Sequence, residues 1–172
     1  AVGIGAAGLA ALCEAGLKPG AAPDDRTALV FAASNGSVIY TRRFYEQITK
    51  QGANSASPML FPETVYNAPA SHLAAFLGLN GATYTLVGDQ SVGCEALILA
   101  GQLLGLGQAD RVLVVGCEEL DWILCEPYHD WNLASLPLSE GAGALLLTRD
   151  GKGLRLRVHA GYQRADQERA DE

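Results

Sequence analysis

The hydrophobic positions of the chain fall into two alternating rhythms. Leu9, Leu12, Cys13 and Leu17 recur at helical spacing, and Gly16 and Pro19 end the pattern. Leu29–Ala33 is a short unbroken apolar run and predicts a buried strand. Ser37–Gln51 returns to helical spacing through Val38, Phe44, Tyr45 and Ile48, and two prolines between Ser57 and Pro62 break the chain. A third helix is expected over Thr64–Leu77, with Val65, Leu73, Phe76 and Leu77 inward and Pro69 limiting its continuity. Thr83–Val87 then reads as a strand, Ser91–Leu106 as a helix, and Arg111–Val115 as a strand covered on both faces. Ala142–Thr148 and Leu154–Val158 complete the strands, and the charged stretch Gln163–Glu172 is expected to be a mobile tail. Strand and helix alternate, so the fold class is α/β, a mostly parallel sheet with helices on both faces, in a single domain over residues 1–162.

Composition narrows the function classes. With 172 residues and 49% hydrophobic side chains, one domain can build its own core. The longest apolar run, Leu97–Leu106, is interrupted by Gly101 and Gln102 and falls short of the ~20 apolar residues a membrane span needs. No membrane role is expected, and a cytoplasmic location is. The net charge of −7 argues against nucleic acid and anionic membrane as partners. It also makes the chain a poor main docking surface for an acidic partner, despite a small basic cluster of Arg42, Arg43 and Lys50. Cys13, Cys94, Cys117 and Cys125 lack C-x-x-C spacing, so neither a zinc site nor a disulfide framework is expected, and no metal or other cofactor. Gly3, Gly5 and Gly8 fit G-x-G-x-x-G, but only Ala1 and Val2 stand before them, so the strand that must feed a nucleotide loop is missing.

The most informative stretch is TYTLVGDQSVGCEALILA, Thr83–Ala100, in which a strand breaks into a Gly-flanked turn and then a helix. Such an elbow presents one side chain at a helix N-terminus, where free N–H groups and the helix dipole favour negative charge. A thiolate there would be activated, whereas a carboxamide cannot attack a carbonyl. The residue at that point is Gln90. Ser91 is no substitute nucleophile, since Asp89 stands where G-x-S-x-G needs glycine. Together with LAALCEAGLKP, TALVFAASNG, NAPASHLAAFLGLNG, ADRVLVVGCEE and LSEGAGALLL, the elbow resembles the N-terminal half of a β-ketoacyl synthase of the thiolase fold, over most of residues 9–148. Active synthases carry their nucleophilic Cys where this chain has Gln90. QSVGCEAL is similar to the turn of chain length factors, which carry Gln there.

The resemblance implies a catalytically silent subunit that pairs with an active β-ketoacyl synthase as a heterodimer and shapes the acyl cavity in polyketide, aryl polyene or fatty-acid-like biosynthesis. An acyl carrier protein would be met mainly through that partner. The family joins its two sheets through the strand matching Thr83–Val87, which places Thr83, Tyr84 and Thr85 at the interface. Met59, Phe61 and Tyr66, just upstream, become candidates for the depth of the acyl tunnel, with core packing as the competing reading. Glu140 matches the Glu of the family's G-E-G-A-G motif and its polar network; a water-facing carboxylate is the alternative. Glu118 and Glu119 stand at a family turn, with structural and functional roles both open. The family's catalytic histidines come from its C-terminal half, so His72, His129 and His159 are read as structural or surface groups. The family also runs a long stretch before the helix matched by Leu9–Gly16, which suggests truncation or an unrecorded segment between Gly5 and Leu9. Two other functions stay open: a Gln-type decarboxylase acting on a malonyl carrier, and a scaffold with no acyl cavity.

Overall fold

Thr27–Ala33 is a run of uncharged, almost wholly apolar side chains that includes the β-branched Thr27 and Val30 and the aromatic Phe31, and it forms the central strand β1, buried at every position. The computed structural model describes residues 2–18, 20, 24–131, 138–149, 153 and 155. Around β1 stand helices α1 (Val2–Glu14), α2 (Val38–Gln51), α3 (Ala68–Leu77), α4 (Val92–Gly105) and α5 (Trp122–Asp130), and strands β2 (Thr83–Val87), β3 (Arg111–Glu118) and β4 (Gly141–Thr148). The sheet runs in the order β2-β1-β3-β4, with β1 parallel to both β2 and β3, and β4 antiparallel to β3. The expected mostly parallel α/β sheet is thus present, with one antiparallel strand at its side. The strand expected at Leu154–Val158, apart from Arg155, and the tail 163–172 lie outside the described residues.

Alternation along β1 and β3 sends side chains to two cores. Ala28, Val30, Ala32, Val112 and Val114 face α4, where Val92, Ala96, Ala100, Leu103 and Leu104 meet them. Alanines on both surfaces let the helix lie close to the sheet. Leu29, Phe31, Ala33, Leu113 and Val115 face the other way, onto Leu12 of α1 and Ala70, Leu73 and Leu77 of α3. At the strand starts, Arg111 donates to the Thr27 hydroxyl at 2.9 Å and to Asp24 at 3.1 Å, and Thr27 donates to Asp24 at 2.6 Å. Burial pushes the Asp24 carboxyl upward, but the hydrogen bonds from Thr27 and the Arg26 amide and the Arg111 charge outweigh it and hold the group below its usual range.

Several expectations are corrected. The glycines of Gly3-Ile4-Gly5-Ala6-Ala7-Gly8 lie inside the helix α1, in keeping with the expectation against a nucleotide loop. A Cβ on Gly8 would press on Leu77 and Leu73 at 3.2 and 3.4 Å, so this glycine serves close helix packing. The helix expected from Thr64 starts at Ala68, because Pro69 suits a helix's first turn, where a missing N–H costs nothing. With Ala70, Leu73 and Leu77 on the sheet, Phe76 is turned outward and Val65 precedes the helix; both are exposed rather than inward. The basic cluster is neutralised: Arg42 pairs with Asp121 at 2.8 Å and Glu46 at 2.7 Å, and Lys50 with Glu46 at 3.3 Å. Arg43 alone of the three lies over an aromatic ring, that of Tyr40, at 5.9 Å.

β2 ends the sheet on one side, and its hydrogen-bond parity is fixed. Leu29 donates to the Ala82 carbonyl and Gly88 donates to the Ala33 carbonyl, so the even-numbered backbone groups of β2 turn toward β1. Thr83, Thr85 and Val87 therefore aim their N–H and C=O groups at the free edge. Gly81, just before β2, packs so closely on Thr27 that a Cβ would run into its carbonyl.

Candidate functional site

The expected elbow is present: β2 ends at Val87, Gly88–Ser91 turn, and α4 starts at Val92. Asp89 organises the turn. Its carboxylate accepts from the Ser91 amide at 2.7 Å, and its own carbonyl accepts from Val92 N–H at 3.1 Å and the Ser34 hydroxyl at 3.4 Å. Hydrogen bonds from the Ser91 side chain and amide hold the Asp89 carboxyl below its ordinary value. Ser91 donates to Glu95 at 3.2 Å and caps no helix N–H with its side chain. Gln90 stands at this tip and is exposed, not enclosed within the chain. Gln90 is therefore open to whatever lies beyond the turn, beside the Asp89 carboxylate and the Ser91 hydroxyl.

The candidate interface residues are exposed as well. Met59, Phe61 and Tyr66 are 84%, 57% and 56% accessible, so they do not belong to the core of the described residues. Phe61 lies 5.6 Å from Phe44, ring centre to ring centre, and Tyr66 lies against Gly36, whose φ of 68° is open chiefly to glycine. On β2, Thr83 and Tyr84 are exposed and Thr85 is half-buried. Glu140 is exposed just before β4 and accepts from the Leu120 amide at 3.5 Å, a single long contact rather than a network. Glu118 is the better-connected carboxylate. It accepts from the Ser34 amide and from Asn35 Nδ2 at 3.1 Å, and so ties the end of β3 to the end of β1.

Beside that tie opens a cavity of about 580 Å³. Its floor is Phe31, Ala33 and Leu73, its α1 wall Ile4 and Leu9, and its rim carries Glu63, His72, Tyr40 and Glu119. His72 Nε2 lies 3.1 Å from both Glu63 oxygens, so this histidine has a carboxylate partner, while His129 is a surface group beside Asp130 and His159 lies outside the described residues. Nothing in the helical pattern distinguishes Tyr40 or Glu63 as rim residues. The adjacent acids Glu118 and Glu119, directly after a buried strand, were the available signal. Among the described residues, no group of three His, Cys, Asp or Glu is placed to hold a metal ion, and no helix is long and apolar enough to cross a membrane.

Cys117 also lines this cavity, and burial, aided by the Glu119 and Glu118 charges, pushes its thiol up to about 11. It stays protonated, hence unreactive, through the neutral range. In an iodoacetamide time course at pH 8, followed by peptide mass spectrometry, Cys117 is expected to label more slowly than the exposed Cys13 and Cys94, by about tenfold or more. Its labelling should accelerate only as pH approaches 11. Equal labelling of all three at pH 8 would contradict this environment.

An elbow at the end of β2, an α4 packed against one face of the sheet and an antiparallel β4 are the layout of a thiolase-like domain. The sequence matches the family described as "Beta-ketoacyl synthase, N-terminal domain" over residues 6–152, and the chain belongs to that family. The 3-oxoacyl-[acyl-carrier-protein] synthase 1 of Haemophilus influenzae is 26% identical over 131 residues, which are 76% of this chain and 32% of that protein. The ishigamide ketosynthase/chain length factor superposes with a TM-score of 0.70 at 25% identity, over 85% of this chain and 43% of that one. A ketosynthase in complex with its chain length factor from Xenorhabdus doucetiae gives 0.67 at 21% identity, over 86% and 56%. The chain thus spans about a third of that curated relative and about half of these solved chains.

Proposed function

We propose that this chain is the non-condensing member of a ketosynthase pair: it docks along the β2 edge with an active β-ketoacyl synthase and helps shape the cavity that holds the growing acyl chain. The observation that carries this reading is Gln90, an exposed carboxamide at the tip of the elbow where the family's condensing enzymes place a thiol. Two features support it. The free edge of β2 offers unpaired backbone groups to a second sheet. Met59, Phe61 and Tyr66 are large apolar side chains held out in solvent, as interface residues are before a partner covers them. The likeness to structures named as ketosynthase and chain length factor fits the same assignment. The acyl carrier protein is met mainly through the partner, since this chain carries a charge of −7 and Arg42 and Lys50 are already paired.

The experiment is a mass-spectrometric product profile of the reconstituted pair. Phe61→Ala and Met59→Trp are expected to shift the chain-length distribution while the partner's nucleophile stays intact. One methylene in an apolar pocket is worth only ~1–3 kcal/mol, so a mixture of lengths is expected, not a clean switch. An unchanged distribution from both variants at normal turnover would place the tunnel elsewhere.

A further inference from the structure

The cavity between α1, α3 and the sheet lies on the face opposite α4, and the elbow adjoins it only through the end of β1, where Gly88 donates to the Ala33 carbonyl and the Ser34 hydroxyl to the Asp89 carbonyl. Its place in the sheet is distinctive. From the carboxyl end of β1 the chain leaves toward β2, and from the carboxyl end of β3 it leaves toward β4, on the opposite side. Neighbouring parallel strands whose connections diverge leave a crevice at their carboxyl ends, where open α/β sheets bind ligands. The cavity lies there: Phe31, Ala33, Gly36 and Ser37 reach it from the end of β1, and Cys117 and Glu119 from the end of β3. Glu118, bonded to the Ser34 amide and Asn35, holds the two strand ends together beneath it. Its volume of about 580 Å³ is that of a site for a small organic molecule.

The lining sets the chemistry. An apolar floor and wall would take a hydrocarbon body, while Glu63 and Glu119 bring two carboxylates to the rim and the Tyr40 ring adds a face that attracts cations. Arg43 already lies over that ring, from outside the cavity lining. His72 steadies Glu63. We propose that this crevice is a binding site for an apolar molecule with a protonated amine at one end, the amine seated between Glu63 and Glu119 and the hydrocarbon against Phe31, Leu73, Leu9 and Ile4. A carboxylate or phosphate head would meet like charge at the same rim and is disfavoured.

Calorimetric titration of the chain with decylamine, decanol and decanoate tests the proposal. Decylamine is expected to bind at least tenfold more tightly than decanoate, with decanol between them. Glu119→Gln should weaken decylamine about tenfold and leave decanol unchanged, since the charge-assisted contact is lost and the apolar contacts remain. Gly5→Leu supplies a variant that does not threaten the fold. Position 5 is helical, the nearest side chain to a new Cβ is Phe76 at 3.6 Å, and leucine is the better helix former. It should fill the crevice and abolish binding of both decylamine and decanol. Decanoate binding as tightly as decylamine, no binding by any of the three, or unchanged decylamine affinity in Gly5→Leu would each overturn the proposal.

Discussion

The Thr85→Pro variant is expected to fold like the parent and to lose the ketosynthase partner proposed for it. Parity along β2 turns the even-numbered backbone groups toward β1 and the odd-numbered ones, Thr83, Thr85 and Val87, toward the free edge. Proline at position 85 removes an N–H that no group of this chain's sheet uses, and edge strands tolerate proline on their outward side. An incoming strand would lose a donor and meet the pyrrolidine ring, so association should weaken roughly tenfold or more, while the melting temperature moves by only a few degrees. Tyr84→Pro is the internal control. Its N–H points at β1, and its loss should lower the melting temperature clearly. Sedimentation of the mixed proteins and thermal unfolding of each variant read both effects. If Thr85→Pro pairs with undiminished affinity, the β2 edge is not the interface.

Leu29→Ala is expected to be a costly truncation in the sheet. Leu29 is fully buried on the central strand, against the α1 and α3 core. Removing a buried leucine to alanine costs about 2–5 kcal/mol, from lost transfer energy plus the void left behind. That is a large share of the roughly 5–15 kcal/mol by which domains are stable, so the variant should unfold at markedly lower urea concentration or fail to accumulate. Phe76→Ala gives the contrast. Phe76 is larger but 64% exposed, and its removal should shift the urea midpoint only slightly. Equal losses from the two substitutions would mean that the layer order described for this sheet is wrong.

The strands were legible because each is a short apolar run closed by turn residues, and Thr83–Val87 was placed to the residue. Helices were less exact: Pro69 opens α3 instead of weakening it, and Phe76 faces outward because Ala70, Leu73 and Leu77 take the side that meets the sheet. The direction of β4 was not legible, since an apolar run reads the same in either sense. Gln90 could be placed at the elbow from the Gly and Asp around it, but not its exposure, which depends on what lies beyond the turn in space. The crevice was invisible to periodicity. It gathers Ile4, Tyr40, Glu63, Phe76 and Glu119 from segments far apart in sequence, which only the crossover connections bring together.

The central claim is that Gln90 makes this subunit silent while its partner carries the covalent chemistry. Intact-mass spectrometry of the co-purified pair, after exposure to an acyl-loaded carrier protein, reads this directly. One acyl adduct is expected on the partner and none on this chain, and Gln90→Cys should not bring condensation to the isolated chain, whose described residues place no pair of histidines at the elbow. An acyl adduct on this chain with Gln90 in place, or condensation by the isolated Gln90→Cys protein, would contradict the account.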